Sequence, residues 1–187
     1  MTKRLMPRPA IALLSAAAVL CALNVPETAF AQKKKADPTE QAVLLGQFGD
    51  WGAYSATPDG KKVCFALSKP TSGVTDPPGR NRDPAYAFVS TRPAENVRNE
   101  VSVIVGYPQK PGFDATASVD STNFAMYTQN DGAWVKNAGD EAQMVNAMRK
   151  GSSLVVRSES SRGTKTTDTY SLKGISDALE KVAAECK

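Results

Sequence analysis

From Gly46 onward the chain breaks into short apolar or alternating runs cut by Gly, Pro, Asn and Asp, and no long helical periodicity appears before Gly139. "GQFGDWGAYSA" carries Phe48, Trp51 and Tyr54. "PDG" at Pro58–Gly60 turns the chain into "KKVCFALSKP". "YAFVSTRP" and "VSVIVGYP" are β-branched and aromatic, with Val101, Val103 and Val105 on one face and Ile104 on the other. "ATASVD" and "NFAMYTQ" follow, "NDG" at Asn130–Gly132 leads into "AWVKN", and "SLVVRSES" and "TDTYSL" are joined through Arg162-Gly163. About eight or nine strands at such short spacing predict a mainly β chain, an antiparallel β-sandwich or barrel-like sandwich.

Two helices punctuate the pattern, one inserted and one C-terminal. "DEAQMVNAMRKG" offers Asp140 as N-cap with Gln143 three residues on. Arg149 and Lys150 suit its C-terminal dipole, and Gly151 can close it in the left-handed region. Met144, Val145 and Met148 form its apolar face, a methionine stripe that reads as core filling. In "GISDALEKVAAECK", Ile175, Leu179, Val182 and Cys186 share one helical face.

The segment "SKPTSGVTDPPGRNRDP", Ser68–Pro84, holds four prolines and two glycines, so it is no inner strand. It reads either as a solvated connector or as a binding loop with a basic tip. Arg80 and Arg82 are then the candidate partner-binding residues.

The first 31 residues have the layout of an export signal. Lys3, Arg4 and Arg8 precede an apolar run, Ala10–Leu23, too short to span a membrane. Pro26 breaks the run, and Ala29-Phe30-Ala31 places cleavage after Ala31. Leu20 before Cys21 argues against lipidation there. The expected organisation is a signal peptide over 1–31, a flexible N-terminal lead-in over 32–45, and a single β-sandwich domain over 46–187. Cleavage removes Lys3, Arg4, Arg8 and Glu27, which takes the net charge from +4 to +2. That balance does not favour a nucleic-acid partner, and no stable membrane insertion is expected once the signal is gone.

Export places the chain in an oxidising compartment, where the remaining Cys64 and Cys186 most simply form one disulfide; the alternative is two free thiols. The bridge would staple the last helix to the Cys64 strand.

The chain has no histidine. This excludes a Ser-His-Asp triad, a Cys-His pair and an imidazole metal site. Ser-x-x-Lys spacing and phosphate-binding glycine loops are also missing. Asp114, Asp120 and Asp131 lie near loops, where capping or solvation is the usual role and an acid/base pair the exception. No catalytic residue, cofactor or metal is assigned.

The stretches "FGDWGAYS" at Phe48–Ser55, "KVCFAL" at Lys62–Leu67 and "YSLKGISDAL…C" at Tyr170–Cys186 resemble the invasion-associated locus B family of secreted bacterial proteins. The resemblance runs from about Gly46 to the end. It implies a periplasmic or surface-exposed β-sandwich and supplies no catalytic residues. Relatives place a cysteine four residues after the first tryptophan, where this chain has Ser55, so the extra bridge is missing. The expected function is that of an exported non-enzymatic envelope protein in the periplasm or at the cell surface. It would bind an unidentified protein or envelope component, host-facing or virulence-associated. The alternative is a small periplasmic inhibitor or accessory factor of an envelope enzyme.

Overall fold

The computed structural model describes residues 37–39 and 41–187; the signal segment and residues 32–36 and 40 of the lead-in lie outside the described residues. Eleven strands form one sheet: β1 (Val43–Phe48), β2 (Trp51–Ala56), β3 (Val63–Ser68), β4 (Ser72–Asp76), β5 (Tyr86–Arg92), β6 (Val97–Ile104), β7 (Ala115–Val119), β8 (Thr122–Gln129), β9 (Gly132–Val135), β10 (Ser153–Glu159) and β11 (Lys165–Ser171). Helix α1 (Ala138–Lys150) lies between β9 and β10, and α2 (Ile175–Glu185) ends the chain. The order across the sheet is β1-β2-β3-β5-β6-β9-β8-β7-β10-β11-β4, antiparallel throughout.

This sheet cannot be flat. β2 and β11 stand eight places apart in the order, a span of roughly 40 Å if the sheet were planar. Yet the Trp51 indole N–H donates to the Ser171 carbonyl at 2.9 Å. The Asp50 N–H donates to the Lys173 carbonyl at 3.0 Å beside it. The sheet therefore coils back on itself, in the barrel-like sense expected from the sequence. Two glycines make the junction possible. Gly174, the N-cap of α2, has φ +90°, and a Cβ there would overlap the Phe48 carbonyl oxygen. Gly49, φ +55°, presses on the Lys173 carbonyl in the same way.

Alternation fills the interior. Val101, Val103 and Val105 point into one core with Trp51, Met126, Leu154, Val156 and Tyr170, while Ile104 packs in a second cluster. α2 lies over β1, β2 and β3. Its buried face, Ile175, Ala178, Leu179 and Val182, joins the core that holds Ala53 and Ala66, whose small side chains leave room for a helix. Cys64 and Cys186 close this layer with a disulfide, their Cα atoms 5.9 Å apart.

Four expectations need correction. β1 starts at Val43, so the lead-in gives up its last three residues to an edge strand. The Ser68–Pro84 segment contains β4, which pairs with β11 and forms the other edge. Prolines flanking Ser72–Asp76 are compatible with that edge position. The N-cap of α1 is Asn137, whose Oδ1 accepts the Asp140 N–H at 2.9 Å, so the helix begins two residues before Asp140. Gly151 is extended (φ −84°, ψ 174°) and not left-handed. It is small because a Cβ would crowd Val119 and Asp120.

The disulfide closes a sequence separation of 122 residues, worth about 5 kcal/mol in the chain-entropy model before native strain is subtracted. Cys64→Ser and Cys186→Ser should lose equal stability in urea denaturation, several kcal/mol each, and the double variant no more than either. α2 amides should exchange faster in all three. Unequal single losses would mean the bridge is not what fixes α2.

Candidate functional site

Of the two arginines in the Ser68–Pro84 segment, only Arg80 is on the exposed tip. Its backbone N–H leans on Thr75 Oγ1 at 3.4 Å. Arg82 is turned inward. Its guanidinium meets the fully buried Asp168 carboxylate in a two-point pair: Nη1–H donates to Oδ2 at 2.6 Å and Nη2–H to Oδ1. Nη1 also donates to the Val105 carbonyl at 3.0 Å. The hydrogen bonds that Arg82 donates to Asp168 raise the Arg82 pKa above its already high ordinary value. Arg82 is thus no part of a basic tip; it ties the β4–β5 connection to both β11 and the end of β6. The Asp83 N–H, donating to Gly106 O at 3.0 Å, adds a second anchor. Gly73 faces the pair, and any side chain there would strike Arg82 and Asp168.

A polar layer surrounds this pair. Tyr107 and Thr166 share a hydrogen bond at 2.6 Å. Ser158 donates to Gln109, whose Nε2–H donates to Gly132 O at 2.7 Å. The Tyr170 hydroxyl is buried without a hydrogen-bond partner among the described residues. Burial pushes both tyrosine hydroxyls up, so they stay protonated at neutral pH. The arrangement fixes a loop, and each charged member has a structural partner.

The loop carboxylates are also engaged. Asp114 pairs with Lys136 at 2.5 Å. Asp120 accepts from the Ser152 hydroxyl at 2.9 Å and from nearby backbone, which lowers its pKa. At Asp131 the backbone carbonyl takes the Val105 N–H at 2.9 Å. Ser55 stands opposite Cys64 in the β2–β3 register, beside the Cys64–Cys186 bridge.

The outer sheet surface holds aromatic residues that the sequence alone does not assign to a site. On β2, β3 and β5, Tyr54, Phe65, Tyr86 and Phe88 form a row of contacting rings. Further along, Tyr127 stacks on Trp134 at 5.7 Å, and the indole covers Gly132. The signal was present in "VCFAL" and "YAFV", which are apolar at every position and so mark strands covered on both faces.

A coiled antiparallel sheet with an inserted helix and a disulfide-tied terminal helix defines a small bridged, mainly β protein. The chain belongs to the invasion associated locus B (IalB) protein family, whose sequence pattern matches residues 51–183. The crystal structure of invasion associated protein B from Bartonella henselae is similar, with a TM-score of 0.52 at 17% sequence identity, covering 76% of this chain and 98% of that one. At that identity the likeness concerns the fold. No curated protein matches the sequence.

Breaking the buried pair should be costly, because one charge is left without its partner. Arg82→Ala and Asp168→Ala should each lose about 3–5 kcal/mol in urea denaturation, and the double variant clearly less than their sum. Tyr170→Phe removes only an unsatisfied hydroxyl and should be neutral or stabilising. Additive losses would show that the pair does not act as a unit.

Proposed function

We propose that the protein is exported to the bacterial envelope or cell surface and acts there by binding a partner, without catalysing a reaction. The observation that carries this is the clamped connection between β4 and β5. It is held on one side by the β4–β11 ladder and on the other by Arg82 and Asp83, and it leaves Arg80 outside. A loop fixed before binding loses little conformational entropy on contact. Membership of the IalB family supports the exported setting. The name of the Bartonella protein associates that protein with invasion, which favours a host-facing partner. The same presented loop also suits a second reading, an inhibitor or accessory factor of an envelope enzyme. A partner that is itself an enzyme, with activity altered on binding, would select that reading.

A photo-crosslinking residue at position 80, used in the native cell, tests the site. It should trap a discrete partner, whereas the same residue at position 165 on the neighbouring strand should not. Arg80→Ala should weaken binding several-fold while leaving the melting temperature within about 2 °C, as for an exposed charge. Unchanged affinity would move the contact to another surface.

A further inference from the structure

The outside of β2, β3 and β5 is apolar where a sheet face turned to water is normally polar. Tyr54 stacks on Phe65 at 5.4 Å with 15° between the planes, and Phe88 touches both Phe65 and Tyr86 at 5.9 and 6.1 Å. Leu67 and Ile104 extend the row. Phe65 and Tyr86 are nevertheless only 7% and 6% exposed.

Asp37 and Ala42, ahead of β1, lie against this face. Ala42 packs on the cluster just ahead of β1. Asp37, five residues earlier, accepts a hydrogen bond from the Tyr86 hydroxyl at 3.3 Å and faces the Lys69 ammonium at 3.7 Å. Lys69 in turn stands 5.5 Å from the centre of the Tyr86 ring. Thr39 shapes the segment: its N–H and hydroxyl both donate to Asp37, and its carbonyl accepts the Ala42 N–H. The hold is light. The hydrogen bond is long, Ala42 contributes one methyl, and the ion pair is solvent-exposed on both sides, a type that adds little to stability.

We propose that this aromatic face is a docking site for a short, turned peptide segment of a partner protein that presents a carboxylate, and that the stretch carrying Asp37, Thr39 and Ala42 is the internal occupant such a segment displaces. The chemistry is read from the occupant. A carboxylate satisfies the Lys69 ammonium and the Tyr86 hydroxyl together, and a small apolar residue a few positions on lies against the rings. The proposal rests on the binding reading above and names the partner's chemistry.

The probe is a fluorescein-labelled peptide with the sequence of residues 35–43, titrated into the full chain by fluorescence anisotropy. Asp37→Lys places a second cation beside Lys69 and unlatches the internal segment. The peptide should bind this variant at least tenfold more tightly than the native chain. Adding Lys69→Glu restores an opposite-charge pair, relatches the internal segment, and should remove that gain both for this peptide and for one carrying Asp37→Lys. All substituted side chains are exposed, and circular dichroism confirms that the variants fold. Equal affinity for native and unlatched chains, or indifference to the charge at position 69, overturns the proposal. Peptide failure with cross-linking at position 80 intact overturns this inference and leaves the binding reading standing; the reverse result does the opposite.

Discussion

The structure depends on closing an open sheet. Eleven antiparallel strands with free edges at β1 and β4 would expose a wide apolar face if they stayed flat. The Phe48–Trp51 corner meets the Ser171–Gly174 turn and brings β2 against β11. One indole hydrogen bond, one backbone hydrogen bond and two left-handed glycines do this. They enclose the core that α1 and α2 complete. The two stretches that carry most of the family resemblance, 120 residues apart at Trp51 and Ser171, are therefore one contact in space.

The second clamp has a different character. Arg82 and Asp168 are both largely withdrawn from water, where an isolated charge would be very unfavourable. Their two-point pairing makes the burial tolerable and fixes where the β4–β5 connection must run. Within one short segment the two arginines therefore have opposite surroundings. Arg82 is used up in holding the loop, and Arg80, two residues away, is left for the surface. The disulfide acts on a different layer, tying α2 to β3.

Much of this was legible in the residues. Short strand-like runs split by turn residues located β5, β6, β7, β8, β10 and β11, and Val101, Val103 and Val105 took the inward face assigned to them. The export setting and the helical spacing of Cys186 pointed to Cys64 as its partner. β1 was obscured because "VLLGQF" has a bulge between Leu44 and Gly46 and leaves Val43 and Leu44 mostly exposed, so no clean alternation survives. β4 was obscured because "SGVTD" buries almost nothing of itself. The role of Arg82 was hidden because its partner is 86 residues away. A clue lay in "KTTDTYS": Thr166, Asp168 and Tyr170 share the inward side, and an inward aspartate in a strand needs a cation. The aromatic face is hidden in the sequence because Phe65, Tyr86 and Phe88 sit in runs that are apolar at every position, where no alternation marks a side.

The two tryptophans give the most direct measurement of the closure. Trp51 donates its indole N–H across the junction, while Trp134 lies on the outer face against Tyr127. Hydrogen exchange of both indole N–H groups, followed by NMR, separates junction opening from global unfolding. The account predicts that the Trp51 indole exchanges only as slowly as the most protected amides of β11, and Trp134 far faster. A Trp51 indole exchanging as fast as that of Trp134, with β11 amides still protected, would contradict it, since the sheet would then stay folded without its closing contact.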